Sequence, residues 1–138
     1  MNDARPGCQR RAGVVSSRDR RKKGYAERVA DEIAKPGGLA LVPISFSLEC
    51  AIALRRERNR GVLSEADLSR ALDVLEQLPL EMHDAGQSAR AILRIAGRYG
   101  LHPSDALYVE LAVLNDAPLA TLDEAVRAVS LKNSVTLF

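Results

Sequence analysis

The sequence predicts an α/β fold in which a central, mainly parallel sheet is flanked by helices on both faces. Short apolar runs of strand length alternate along the chain with longer segments of helical periodicity, and this order is typical of parallel sheets. No Asn-Gly hairpin signal joins two of the runs. The chain has 138 residues, of which 46% are hydrophobic, so one globular domain is expected.

Start and stop signals bound the predicted elements. Ser64 begins a capping box with Asp67, and Ser45 or Ser47 can cap the helix before it. Pro103 suits a first helical position, which makes His102 the expected N-cap of a helix that is apolar nearly all round and therefore buried. The predicted strands lie at 39–42, 78–82, 119–122 and 135–138; the predicted helices lie at 24–35, 45–59, from 64 with an apolar stripe of Leu68, Leu72 and Leu75, at 87–99, 103–114 and 124–130.

Composition excludes several classes of protein. No apolar run approaches the roughly 18 residues that a membrane span needs, so no membrane association is expected. The start of the chain lacks the apolar core of a secretory signal. Cys8 and Cys50 form neither a disulfide framework nor a metal-binding spacing, and a reduced, cytoplasmic protein is predicted.

The charge is unevenly distributed along the chain. Residues 1–28 carry nine basic and three acidic residues, whereas the remainder carries eleven basic and fifteen acidic ones. A basic segment on an acidic body can contact nucleic acid, and it can equally be a solvated tail. We therefore divide the chain into a basic N-terminal segment, 1–23, and a domain, 24–138.

Three carboxylates form the candidate site. Asp105 falls in the first turn of the buried helix, Asp123 follows the apolar run 119–122, and Glu49 interrupts the apolar run SFSLECAIAL. Helix starts and the carboxyl ends of strands are where α/β folds place their sites. Oxygen ligands without nearby His or Cys suit Mg²⁺ or Mn²⁺, so the three residues indicate a hard-cation site.

Each carboxylate also has a purely structural interpretation. Asp105 could complement the helix dipole, and Asp123 could be an ordinary N-cap. Glu49 could sit at a rim or pair with Arg55, since a lone buried charge is costly. Other chemistries lack support: His83 and His102 have no ligand spacing, no glycine-rich phosphate loop follows a strand, and Cys50 is typical of a core residue.

These residues resemble a PIN domain, specifically the VapC-type toxin ribonucleases of bacterial toxin–antitoxin pairs. The matching stretches cover about residues 25–138, and the Asp-Ala-Leu-Tyr and Ala-Thr-Leu-Asp motifs are the most specific of them. They are LVPISFSLECAIAL (41–54), RRERNRGVLS (55–64), AGRYGLHPSDALYVELA (96–112) and APLATLDEAVRAV (117–129).

The resemblance implies a PIN fold and Mg²⁺- or Mn²⁺-dependent endoribonuclease chemistry, in which metal-activated water attacks a phosphodiester. Glu49, Asp105 and Asp123 fall on the second, third and fourth acidic positions of the family. An RNA substrate, an antitoxin partner and a homodimer would follow, and Arg55 and Arg56 are candidates for contacts with RNA phosphates.

The sequence departs from the family in two places. The family opens with a strand that ends in its first acidic residue, and here Asp3, in Asn-Asp-Ala, is the only early candidate ligand. A shifted reading frame or a replaced start within 1–23 would explain this. Ile52 stands where the family often has Asn. These departures motivate an alternative: a catalytically degenerate PIN domain that binds an antitoxin or a second protomer.

Overall fold

The computed structural model describes residues 20–84 and 88–138, with side chains described from residue 24 onward. Two strands and six helices are assigned in this part of the chain. In chain order they are α1 (Arg20–Ala34), β1 (Ala40–Pro43), α2 (Phe46–Asn59), α3 (Glu65–Gln77), β2 (Leu80–His83), α4 (Ala89–Tyr99), α5 (Pro103–Asn115) and α6 (Glu124–Lys132).

The described strands run parallel, as predicted. β1 pairs with β2 in the register Ala40 to Leu80 through Pro43 to His83. The runs predicted as strands at 119–122 and 135–138 are shorter than expected: within the described residues they meet in one parallel bridge between Leu119 and Leu137. Backbone hydrogen bonds from Leu119 N to Thr136 O (2.8 Å) and from Phe138 N to Leu119 O (3.0 Å) hold that bridge.

Helices cover two faces of these strands. Successive residues of a strand point to opposite faces. Leu119 packs in one core cluster with residues of α4, α5 and α6, whereas Ala120 packs in a second cluster with Ala40 and the α1 residues Val29 and Ile33. The helices therefore sandwich the strands, as predicted.

Helix α5 is the most deeply buried of the described helices. Its residues Ala106 and Val109 are fully buried, and it contacts α4, α6 and β1. The prediction that it is buried nearly all round is wrong at its last turn, because Val113 and Leu114 face solvent. The helix ends just beyond, at Asp116, which adopts a left-handed conformation with φ of 46°.

Most of the predicted helix boundaries are confirmed. His102 is the N-cap of α5, and Ser64 and Asp67 form the capping box of α3. α1 begins at Arg20, four residues before the predicted start. The predicted apolar stripe of α3 is only partly covered: Leu68 and Leu75 are half-buried and Leu72 is 43% exposed, because α3 packs mainly against α2.

We predict that Leu107→Ala lowers the free energy of unfolding by about 2–5 kcal/mol, because it leaves a cavity between α4 and α5. The matched control is Leu114→Ala on the same helix, where the side chain is 67% exposed and the expected change is within about 0.5 kcal/mol. Urea unfolding followed by circular dichroism measures both. Equal losses in the two variants would contradict the packing described for α5.

Candidate metal centre

The three predicted carboxylates lie near one another at one edge of the strands. Glu49 is in the first turn of α2, which follows β1. Asp105 is in the first turn of α5, and Asp123 is the N-cap of α6 after the 119–122 segment. The charges of Asp123 and Glu49 both act on Asp105, so the three helix starts lie close together.

Asp105 is the centre of this group. Burial raises the pKa of its carboxyl above the ordinary value of 3.8. The negative charge of Asp123 raises that pKa further, and the charge of Glu49 adds a smaller increase, whereas His102 lowers it. Asp105 is half-buried and, among the described residues, accepts no hydrogen bond. A desolvated carboxylate beside two like charges and without a donor is favourable only if a cation or a proton joins it.

Glu49 is held by two hydroxyl groups. Ser45 Oγ donates to Glu49 Oε1 at 2.9 Å, and the Tyr108 hydroxyl donates to Glu49 Oε2 at 2.8 Å. Burial raises the pKa of Tyr108, and its hydrogen bond to Glu49 raises that pKa further, so the phenol is a donor at neutral pH. In the described part of the chain, Glu49 forms no salt bridge with Arg55 or any other base.

Asp123 is both the N-cap of α6 and a member of the acidic group. Its Oδ1 accepts a hydrogen bond from Val126 N at 2.9 Å, so the N-cap interpretation is confirmed. Its charge also acts on Asp105, so it belongs to the acidic group as well. A capping carboxylate keeps further lone pairs for another partner.

Two residues around Glu49 were misjudged or missed by sequence reasoning. Ser45 stands at the N-cap of α2 but makes no side-chain cap hydrogen bond: its backbone is helical (φ −73°, ψ −12°) rather than extended, and its hydroxyl donates to Glu49. Tyr108 was not singled out. The available signal was its spacing, since Tyr108 lies three residues after Asp105 and therefore on the same side of α5.

The remaining candidates lie outside the acidic group. Arg55 and Arg56 are exposed on α2, where Arg56 Nε is 3.3 Å from Glu57 Oε1. Burial raises the pKa of the Cys50 thiol and the charge of Glu49 adds to this, which argues against a nucleophilic thiolate. Asp3 lies outside the described residues.

The chain is similar in sequence to known proteins. A family model for the PIN domain matches residues 14–132. The chain belongs to the PIN domain family. It is also 38% identical over 82 residues to ribonuclease VapC3 of Mycobacterium tuberculosis, in strains CDC 1551 / Oshkosh and ATCC 25618 / H37Rv. The matched region is 59% of this chain and 58% of the relative, so the chain spans under two thirds of the length of these curated relatives.

The donor set of this PIN domain fits a hydrated hard cation. Among residues 20–84 and 88–138, no three His, Cys, Asp or Glu side chains stand close enough to enclose a metal by themselves. Mg²⁺ rarely uses such a cage; it keeps several waters and binds one or two carboxylates together with substrate phosphates. An open group of oxygen donors around the unpartnered Asp105 agrees with that chemistry and disagrees with a closed structural zinc site.

A pocket of about 550 Å³ lies elsewhere in the PIN domain. Its lining includes Ala112, Asp116 and Pro118 at the carboxyl end of α5. Asp116 is about 16 Å along the helix axis from Asp105, at a rise of about 1.5 Å per residue. This pocket is therefore separate from the acidic group. No helix within the described ranges is both long and apolar enough to cross a membrane.

We predict that Asp105→Asn stabilises the metal-free protein, and that the gain grows with pH. Because the folded-state pKa of Asp105 is raised, the wild type is favoured while that carboxyl is protonated and loses stability as the pH rises through that pKa. The amide carries no charge and avoids this loss.

Thermal unfolding in EDTA from pH 3.5 to pH 7 measures the difference. A difference between variant and wild type that stays constant over this range would show that the charge of Asp105 is not penalised in the fold.

Proposed function

We propose that this PIN domain is a divalent-metal-dependent endoribonuclease of the VapC toxin type, acting in the cytoplasm. The observation that carries the proposal is the half-buried Asp105 carboxylate, which accepts no hydrogen bond from the described residues and lies within electrostatic range of Glu49 and Asp123. The similarity to ribonuclease VapC3 supports the choice of RNA as substrate.

Glu49, Asp105 and Asp123 would hold Mg²⁺ or Mn²⁺, with Asp3 a further candidate. When bound, such an ion lowers the pKa of a water molecule and offsets negative charge that develops on a phosphate. The three carboxylates supply the negative field that attracts the ion, and burial leaves the Asp105 carboxylate less solvated than a surface carboxylate would be. Without the ion, the same field would repel an RNA phosphodiester.

Basic residues on α2 would contact the RNA. Arg56 follows Glu49 by two helical turns and lies on the same side of α2, whereas Arg55 lies about a third of the circumference away. The ion pair of Arg56 with Glu57 is exposed and therefore weak, so its guanidinium is free to bind phosphate. Such contacts supply affinity without reading the RNA sequence.

A protein partner would cover an apolar surface on α2 and the turn before it, which we call the α2 patch: Ile44, Leu48 and Ile52. These side chains are 56%, 64% and 57% exposed and recur every fourth residue. A row of this kind is typical of a docking surface for a helix. It favours the predicted partners, an antitoxin and a second protomer, and Ile52 serves there in place of the family's Asn.

The α2 patch also favours the second candidate, a degenerate PIN domain that acts only as a binding module. Both candidates share the patch and differ in cleavage. The decisive comparison is therefore a nuclease assay on protein that is shown to be folded.

We predict that the purified chain cleaves structured RNA in Mg²⁺ or Mn²⁺, and that EDTA abolishes the cleavage. Asp105→Asn should lower the rate by at least about 100-fold, because even residues that only orient metal ligands are worth about 10–100-fold. Asp116→Asn is the matched control, since Asp116 is an exposed residue at the other end of α5, where asparagine accepts the left-handed backbone.

Cleavage by wild type and Asp116→Asn, but not by Asp105→Asn, supports the enzyme. A folded wild type without cleavage in either metal would leave the binding module as the function.

We also predict that Leu48→Asp prevents self-association or antitoxin binding while leaving the fold intact. The substitution places a charge in the centre of the α2 patch. Leu131→Asp on α6 is the control, because Leu131 is 65% exposed and Leu48 is 64% exposed. Sedimentation analysis of the chain alone, and of the chain with its antitoxin, measures the effect. Equal behaviour of the two variants in both mixtures would exclude the α2 patch as the interface.

A further inference from the structure

Two carboxylates in the described part of the chain each accept a hydrogen bond from a tyrosine, and their other partners differ. Glu110 on α5 is buried and accepts from the hydroxyl of Tyr99 and from the guanidinium of Arg98, whose Nη1 lies 3.0 Å from Oε1. Glu49 accepts from the hydroxyls of Tyr108 and Ser45. In Glu110 the charge is neutralised by a cation, as expected for a residue that holds α4 and α5 together.

The partners of Glu49 orient its carboxylate without neutralising it. Each oxygen accepts one hydroxyl hydrogen bond, and neither hydroxyl carries a charge. Two fixed donors restrict the rotation of the carboxylate, and the lone pairs that remain are set in direction. The negative charge of Glu49 therefore stays available to a cation at the acidic group.

The Ser45 hydroxyl also contributes to the orientation of Glu49 and does not cap helix α2. A serine at an N-cap normally accepts a hydrogen bond from the first turn, which is worth about 1 kcal/mol to the helix. Ser45 makes no such bond, and its hydroxyl instead donates four residues ahead to Glu49. Helix α2 thus lacks a stabilising side-chain cap, and the position of Glu49 gains a donor.

Tyr108 joins α5 to α2 across 59 residues of sequence. Because Asp105 and Tyr108 lie one turn apart on the same side of α5, one helix carries both a candidate ligand and the donor that fixes another ligand. A movement of α5 relative to α2 would change the separation of Glu49 and Asp105.

We propose that Tyr108 and Ser45 are positioning residues that hold the Glu49 carboxylate in the orientation that binds the divalent cation. This inference rests on the proposed function. It assigns to the two hydroxyls the role of setting metal affinity, and it assigns to the similar Tyr99 hydroxyl a role in packing alone.

The experiment measures Mn²⁺ binding to the full-length chain by electron paramagnetic resonance, without RNA. Tyr108→Phe should weaken Mn²⁺ binding by about 10–100-fold, the usual range for residues that orient a metal ligand. Tyr99→Phe is the matched control: it also removes one tyrosine hydroxyl from a glutamate, and its Mn²⁺ affinity should equal that of the wild type. Thermal unfolding of both variants compares the structural cost of the two changes.

A second pair of variants tests the inference should Tyr108→Phe fail to fold. Ser45→Ala removes the other hydroxyl and sacrifices no cap hydrogen bond, so it should weaken Mn²⁺ binding in a folded protein. Ser45→Thr retains a hydroxyl and should restore binding. If the role of Ser45 were purely structural, Ser45→Ala and Ser45→Thr would bind Mn²⁺ with the same affinity.

The possible failures are distinguishable. If Tyr108→Phe and Ser45→Ala bind Mn²⁺ as tightly as the wild type does, the positioning role is overturned and the proposed metal site still stands. A wild type that binds no Mn²⁺ would overturn the proposed function together with this inference.

Discussion

The burial of helix α5 is the constraint on which the candidate site depends. Its middle turns are enclosed by α4, α6 and β1, so close packing sets the position of the helix. Its start is fixed by Pro103 and the His102 cap, and Asp105 follows directly at the edge of the core. The core thus determines where Asp105 lies and how little water reaches it. That position costs stability, because burial and the neighbouring carboxylates oppose its ionisation.

The contrast between Glu49 and Glu110 shows how the same residue type is used in two ways. A buried carboxylate that meets a guanidinium becomes part of the framework, because the pair satisfies its charge and fixes two helices. A carboxylate that accepts hydrogen bonds only from hydroxyls is held in place, but its negative charge is not neutralised. That charge remains available to bind a cation at a neighbouring site. The partners of an acidic residue therefore indicate its role better than its degree of burial does.

The order and type of the elements could be predicted from the sequence, because they depend on local signals such as helix caps and on hydrophobic periodicity. The capping box at Ser64, the proline at the start of α5 and the glycine after α4 each determine a helix boundary by their own backbone chemistry. The three carboxylates were found by type and place along the chain. The Tyr108 contact could not be found this way, since it joins residues 59 positions apart and depends on how α2 and α5 pack. The degree to which the α3 stripe is covered could not be predicted for a related reason: periodicity predicts which side of a helix is apolar, and the number of neighbouring elements decides whether that side is buried.

Helix α2 links the acidic group to the outer surface. Phe46 anchors its first turn in the core, and Glu49 contacts Tyr108. Leu48, directly before Glu49, and Ile52, three residues after it, face solvent. A partner bound to the α2 patch would lie beside the acidic group and exclude RNA from Arg56 on the same helix. The α2 patch and Glu49 thus lie on one helix and the turn before it, and the first turn of that helix is fixed in the core by Phe46. A partner seated on the patch would therefore limit the access of RNA to the acidic group.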